Sequence, residues 1–393
     1  MSPVRDTPTM RLHALGLGGA GGRIVDRLAA DHGDEPFLDA TVAFDTDAAA
    51  LDALDAVPAE HRHRFGDRTG GEGLDGDLRR GLDLGAEHVD ELSRALDAAS
   101  PSRAEAFLIA VGLGGGTGAG VAPELVRNLR RLHDAPVYVF GILPADPDAE
   151  SFAERAGGRR ADADGDRTPD RPLAVANAAR TLDGLDGLAN AIVGFDNDAW
   201  LRHDETLADA RERLNRVAAD RIAAVFGAGD AADGDGGSVP QQVVDASDVN
   251  RALGDRSDIA DIGYAEQEVE TPDGGSRFGL GLFSSSEPAE VDTSEAVSAV
   301  ETVIRKAARG KGTLGTVEGS ADRTLLLVGG PPAWLNREAV AEGRRWRAAE
   351  TGSDAILSGD APDPDADAVH AVVLRAGVEP TDRLREIRDT PGD

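Results

Sequence analysis

AFLIAVGLGGGTGAGVAPELVRNLR, residues 106–130, sets three signals in immediate succession. The apolar run at 106–111 has the length and composition of a buried strand. It stops at Gly112-Leu-Gly-Gly-Gly-Thr-Gly-Ala-Gly120, and helical spacing follows. A strand, a glycine loop and a helix start in that order aim consecutive backbone N–H groups at one point. The helix dipole adds positive potential there, so a phosphate is the natural occupant. Glycine at Gly114, Gly115, Gly116 and Gly118 lets the backbone close on phosphate oxygens, where a Cβ would intervene. Thr117 adds a hydroxyl donor within the loop. A flexible linker shares this composition, but linkers are not bracketed by a buried-type strand and a helix.

At 393 residues the chain exceeds the usual size of one domain, so two domains are expected. Hydrophobic residues make up 40% of it and aromatics 4%, which describes a sizeable core built mainly from Ala, Val, Leu and Ile. Asp and Glu number 72 against 41 Lys and Arg, a net charge of −31. Such a surface repels nucleic acid and anionic lipid, and neither is expected as a partner. The acidity runs through every segment and Arg replaces Lys, a pattern of adaptation to high salt. With no cysteine, disulfides, thiol catalysis and Cys-ligated metals are excluded. No apolar run approaches a membrane span, and MSPVRDTPTM lacks the apolar centre of a signal peptide. The expected compartment is the cytoplasm, without membrane insertion.

Upstream, a short strand is expected at 11–17, then Gly16-Leu-Gly-Gly-Ala-Gly-Gly22, then a helix at 23–30. A strand at 40–44 ends in Asp45-Thr-Asp47. Gly16, Gly18 and Gly21 form G-x-G-x-x-G, and an acid some 20 to 25 positions later is the dinucleotide-binding pattern. A second glycine loop on a later strand is not needed by such a fold. It favours one nucleotide held by several loops at the strand ends. TGGEGLDG (69–76) precedes an acidic helix near 83–98, and a strand follows at 137–143. Residues 146–171, which contain most of AGGRRADADGDRTPDRP, are too polar and Gly/Pro-rich for a core and read as a mobile insertion. A helix at 173–182 and a strand at 191–195 resume the pattern.

The longest helix expected is 206–226, with Leu207, Ala210, Leu214, Val217, Ala218, Ile222 and Val225 on one face. At about 1.5 Å per residue it spans roughly 30 Å, enough to cross a domain. Residues 234–237 read as a loop. Beyond it, helices near 295–308 and 337–349 and strands at 325–328 and 368–374 form a second α/β pattern. The terminal stretch, ending RDTPGD, is expected to fray.

GGGTGAG after a strand, GLGGAGG near the N-terminus, FDTDAAAL, FDNDAW and VVDASDV together resemble the tubulin/FtsZ superfamily. FDNDAW, the FGAGD that ends the long helix, GPP and WLNR at 330–337 and the acidity are most similar to CetZ, its archaeal cell-shape branch. The likeness runs from about 11 to 387, the insertion excepted. It implies an α/β tubulin/FtsZ fold: a Rossmann-like GTP-binding domain with a parallel sheet (11–204), a central helix (205–227) and a smaller C-terminal α/β domain (228–380). Residues 1–10 and 381–393 would be a flexible N-terminus and an acidic tail. It also implies head-to-tail self-association into filaments, with family paralogues as further partners, and GTP or GDP with Mg²⁺ as cofactors.

Carried over by motif, Gly18, Gly19, Ala20, Gly21, Gly22 and Arg23 would lie against the α- and β-phosphates. Gly114, Gly115, Gly116, Thr117 and Gly118 would cradle the diphosphate. Asp47, Gly71 and Gly73 belong to the same expected GTP site. Asn177 in ANAAR and Asn197 in FDND would approach the sugar and guanine, and Asn215 the other base edge. An amide offers a donor and an acceptor together, which suits guanine. Asp148 and Glu150 are candidates for a ribose contact, and no metal ligand is assigned. In this superfamily two acids three apart enter the nucleotide site of the next subunit; here they are Asp245 and Asp248. One helical turn puts such a pair on a shared face, and a carboxylate can orient the attacking water.

Three positions depart from the family pattern. The usual G-x-G-x-G reads Gly71-Glu-Gly73-Leu-Asp75, which sets an acid near the γ-phosphate. A usual aromatic on the central helix is Arg211, whose guanidinium can stack on a base. The insertion adjoins the ribose loop. Asp75 and the insertion keep open a GTP-binding regulator that does not polymerise. An NAD-dependent oxidoreductase using Gly16–Gly21 and Asp45 is the rival outside the family.

Overall fold

The computed structural model describes residues 10–145, 173–228, 244–270, 291–317, 321–335, 341, 345 and 356–390. The expected insertion at 146–171, the loop at 234–237 and nearly all of the helix at 337–349 lie outside them, as do Asp148, Glu150, Asn336 and Arg337.

Ten strands form one sheet: β1 Leu12–Leu17, β2 Leu38–Asp45, β3 Arg62–Arg64, β4 Ala106–Gly112, β5 Val137–Leu143, β6 Ala191–Asp196, β7 Asp258–Glu268, β8 Ala321–Gly330, β9 Ile356–Pro362 and β10 Ala368–Val378. Their order is β3-β2-β1-β4-β5-β6-β7-β10-β8-β9. From β3 to β7 every pairing is parallel, and β10 runs antiparallel to β7 and β8. β6 pairs directly with β7 through Ile192 and Ile259, so one sheet passes through both halves of the chain.

Alternation along the parallel strands makes two cores, because successive side chains point to opposite faces, and a third core lies between the helix at Thr293–Arg309 and the strands of the C-terminal half. On β4, Leu108 and Ala110 enter one core, while Phe107, Ile109 and Val111 enter the other. The first core is covered by α1 (Gly18–His32) and by the central helix. The second is covered by α3 (Leu78–Ala95), α4 (Thr117–Leu132) and α5 (Ala174–Leu185). The short α2 (Ala48–Asp52) and α6 (Asn197–Trp200) follow β2 and β6.

The central helix, α7, spans Leu207–Phe226 and starts with a capping box, Thr206 and Asp209 bonding each other's backbone N–H. Ala210, Leu214, Ala218 and Ile222 bury the face expected from their spacing. His32 at the end of α1 bridges Asp220 of α7 (3.3 Å) and Glu35 (2.7 Å). Those two hydrogen bonds raise its pKa to about 9 and keep it cationic at neutral pH.

In the C-terminal half, α8 (Ala246–Leu253) packs against β8 and β10, and α9 (Thr293–Arg309) lies on β7 and β10. Asp261 and Arg375 form an ion pair inside this region, 0% and 4% exposed. Arg375 Nε donates to Asp261 at 3.2 Å and Nη1 to the Ala308 carbonyl at 3.2 Å. Asp261 also accepts from the Leu314 backbone at 2.8 Å. The pair therefore ties β7, β10, α9 and the loop after α9 together.

Several boundaries differ from the sequence expectation. α1 begins at Gly18 rather than 23, because the glycines form its first turn instead of a loop before it. α3 begins at Leu78, where Asp77 caps it. β3, β7 and β9 lie outside the expected strands; β3 has only three residues, and β7 opens with DIADIGYA and lacks a clear period. The expectation of a frayed tail is corrected: α10 spans Asp382–Asp389 and buries Leu384 and Ile387.

Candidate functional site

The strand order β3-β2-β1-β4-β5-β6 reverses direction between β1 and β4, where open parallel sheets leave a crevice at their carboxyl ends. A cavity of about 610 Å³ lies there. Leu17, Asp45, Gly112 and Leu143, all at carboxyl ends of strands, line it.

Two helices begin at this cavity. The first residues of α1 and α4 lie side by side; a Cβ on Gly18 would stand 3.0 Å from the Gly118 nitrogen. Gly118 must be glycine for a second reason, since its Cβ would meet the Leu17 carbonyl at 2.3 Å. Each N-terminus carries roughly half a positive charge, so the pair makes an anion site. Gly18, Gly19 and Ala20 line it from one helix, and Gly114, Gly115, Gly116, Thr117 and Gly118 from the loop and the other helix. Arg23 adds a formal cation.

The same cavity is lined by Asp45, Asp47, Glu72 and Asp75, Asp45 lying beside Gly19 at the start of α1. Burial pushes the Asp45 carboxyl up to about 6, against the pull of the Asp47 and Thr46 backbone N–H groups. Asp47 caps α2 through Ala49 (2.9 Å) and Ala50 (3.2 Å). Asp75 has φ +46, the left-handed region that glycine occupies freely. Its departure from G-x-G-x-G thus falls at a position whose backbone suits glycine, and aspartate is among the few side chains that tolerate it.

The far end of the cavity is formed by Phe195, Asn197, Arg211, Leu214 and Asn215, with Pro144 and Ala145 at its rim. Asn197 donates its amide to the Leu143 carbonyl at 3.3 Å. Arg211 and Asn215 are one helical turn apart on α7 and both reach the cavity.

Not every expected residue lines it. Asn177 is buried behind the loops and donates to the carbonyls of Gly76 (2.8 Å) and Gly114 (3.3 Å). Its amide braces two cavity loops, and Asn177 is not among the residues that line the cavity. Gly21 and Gly22 pack inside the fold, the former because a Cβ would lie 1.9 Å from the Ala110 carbonyl. Gly71 is absent from the lining, but its carbonyl accepts from Ala48 at 3.0 Å and holds the acidic loop against α2. Thr117 lines the cavity with its hydroxyl already shared with Thr46 Oγ1 at 2.7 Å. Glu72, Thr206 and Pro144 line the cavity outside the expected set, and Asp45 was expected only in the dinucleotide alternative. Asp45 was legible as the acid of FDTD; Pro144 becomes a site residue only when β5 ends beside β6.

Asp245 and Asp248 do not line this cavity. Asp245 caps α8, accepting from the backbone of Ser247 (2.8 Å) and Asp248 (3.1 Å). The Ser247 hydroxyl, then these N–H groups and Arg251, hold its carboxyl below the usual range. Asp248 pairs with Arg251 at 3.0 Å. α8 stands at the other end of the sheet: Ser247, Asn250 and Arg251 line a second hollow together with Ala135, Pro136 and Tyr138, where β5 begins. The length of β5 alone separates the two ends by about 20 Å.

Two family profiles match the chain: "Tubulin/FtsZ family, GTPase domain" over residues 11–156 and "Tubulin-like CetZ, C-terminal domain" over 204–392. The tubulin-like protein CetZ5 of Haloferax volcanii is 35% identical over 384 residues, covering 97% of this chain and 91% of the relative. Among solved structures, the GDP-bound monomer of CetZ1 from Haloferax volcanii superposes with a TM-score of 0.77 at 29% identity, covering 96% of this chain and 98% of that one. The GTPγS-bound protofilament of CetZ2 from the same organism gives 0.77 at 28% identity, with 97% of each chain covered.

Proposed function

The chain belongs to the tubulin/FtsZ family, in its CetZ branch, and from that membership we propose a cytoskeletal GTPase that completes its active site between two copies stacked head to tail. The observation that carries this reading is the separation of parts within one chain. The nucleotide cavity opens at the carboxyl ends of the strands, and the Asp245–Asp248 turn sits at the opposite end. Stacking one copy on the next brings these two ends together. The protofilament of the CetZ2 relative supports that arrangement.

In this reading, residues 11–204 bind GTP or GDP, with the phosphates between the starts of α1 and α4. Asn197 and Asn215 present amides to guanine, and Arg211 stacks on it. Asp248 of the adjoining copy orients the attacking water in line with the γ-phosphate. Asp245, whose Oδ1 accepts from the α8 backbone, fixes that turn.

A triphosphate beside Asp45, Asp47, Glu72 and Asp75 calls for a cation, and the donor set fits Mg²⁺, which takes one or two carboxylates together with phosphate oxygens. When bound it would neutralise charge developing on the phosphates. Among the described residues no three His or carboxylate side chains converge as a metal cage, so the ion would arrive on the nucleotide. Among those residues, too, no helix is long and apolar enough to cross a membrane. By kinship the filament would serve cell shape in the cytoplasm.

The nucleotide carried by protein purified in multimolar KCl and released by denaturation tests the binding half of this account. Guanine nucleotide near one per chain is expected. NAD, or retention of adenine nucleotide in preference to guanine, would overturn it.

A further inference from the structure

The C-terminal helix is bonded to Pro144, a residue that lines the cavity. α10 is anchored by Leu384 and Ile387, 1% and 0% exposed, in the core that α5 also covers. This seating fixes Arg383, whose side chain is 14% exposed. Its Nη2 donates to the Pro144 carbonyl at 3.2 Å and stands 3.7 Å from Asp198 Oδ2. Its Nη1 holds Glu386 at 3.0 Å.

Both contacts lie where the chain turns into the cavity. Pro144 is part of the rim, and the carbonyl just before it, that of Leu143, accepts the amide of Asn197. Asp198 follows Asn197 in α6, and its backbone N–H bonds the buried carboxylate of Asp196 at 3.0 Å. Burial raises the pKa of Asp196, and the charge of Arg383 works against that rise. One guanidinium thus grips the end of β5 by a carbonyl and the end of β6 by a carboxylate. Asn197 sits between the two. The contact spans 239 positions in sequence, so nothing local can replace it. Being largely buried, it escapes most of the screening that multimolar salt imposes on surface pairs.

We propose that Arg383 is a positioning residue for the nucleotide base: it sets the distance between the Pro144 rim and Asn197, and so couples docking of the C-terminal helix to guanine retention and choice. The inference rests on the guanine-nucleotide reading above. Arg383 touches no nucleotide in this account and acts through Pro144 and Asp198. A guanidinium suits the task, because its Nη2 carries two N–H groups and can face the carbonyl and the carboxylate together while the plane stays fixed.

Dissociation of a fluorescent GDP, and competition by GDP and ADP, should be measured on the full chain in multimolar KCl for wild type, Arg383→Ala, Arg383→Lys and Glu386→Ala. Charge-assisted hydrogen bonds of this kind are strong enough that Arg383→Ala should speed GDP release by about tenfold. The preference for GDP over ADP should fall several-fold, because Asn197, set between the two contacts of Arg383, moves relative to the base. Arg383→Lys keeps the charge on a flexible stem without the planar guanidinium and should fall between. Glu386→Ala removes only the exposed partner and should match wild type. A general loosening of the fold would weaken GDP and ADP alike, and unchanged preference in a folded Arg383→Ala would overturn the proposal. If wild type retains no guanine nucleotide, the reading beneath it fails, and this inference with it.

Discussion

Asp248→Ala should abolish GTP turnover while leaving nucleotide binding intact. Asp248 lies about the length of β5 from the cavity of its own chain, so truncating it cannot disturb the bound nucleotide there. Among the described residues the side chain pairs with Arg251 at 3.0 Å, and Arg251 is 62% exposed. Surface pairs of this sort contribute about 0–1 kcal/mol, so the variant should remain folded. A group that orients or accepts a proton from the attacking water typically supplies a factor of about 10² to 10⁴, and turnover should fall by at least the lower figure. Asp245→Asn makes the informative partner variant. An amide oxygen can still accept from Ser247 and Asp248 and cap α8, so a capping role predicts a modest loss. Equal collapse of both variants would mean that both carboxylates act on the water. Undiminished turnover in Asp248→Ala would remove the acid from the mechanism altogether.

Arg375→Met should be the most damaging substitution away from the cavity. It deletes the cation from a pair that is almost wholly enclosed and leaves the Asp261 carboxylate, 0% exposed, with the Leu314 N–H and the Thr313 hydroxyl as its partners. Breaking a buried pair by removing one member costs about 3–5 kcal/mol, a large part of the roughly 5–15 kcal/mol that holds a domain folded. The double variant Asp261→Asn/Arg375→Met should be more stable than Arg375→Met alone. Asparagine keeps an acceptor for Leu314 and no longer carries an unpaired charge. Urea unfolding of the three proteins in the same salt checks the order. A double variant less stable than Arg375→Met would show that the charge of Asp261 is not what makes the single substitution costly.

Much of the arrangement is legible in the chain because glycine and alternation carry strong local information. GLGGGTGAG announces its loop: two helices can start side by side only if Gly18 and Gly118 lack side chains. The face of α7 follows from the spacing of Ala210, Leu214, Ala218 and Ile222. What escapes is set by contacts distant in sequence. That the Asn177 amide braces the Gly76 and Gly114 carbonyls could not be read from ANAAR, because these partners lie 101 and 63 positions away. The terminal segment reads as a polar tail because only Leu384 and Ile387 are apolar in DRLREIRD, three apart and too few for a periodic signal. Their burial depends on the second core, assembled from strands and helices hundreds of residues earlier. Asp75 looks like a lost glycine, and its backbone still adopts the glycine conformation.

The most direct test of a shared active site is GTP turnover per molecule as a function of protein concentration, in multimolar KCl with Mg²⁺. A cavity completed by a neighbour predicts near-zero turnover at low concentration and a rise above a threshold, with nucleotide bound throughout. Turnover per molecule that is independent of concentration would contradict it: a substantial rate would place the whole reaction within one chain, and a near-zero rate with GTP still bound would describe a nucleotide-binding regulator that does not polymerise.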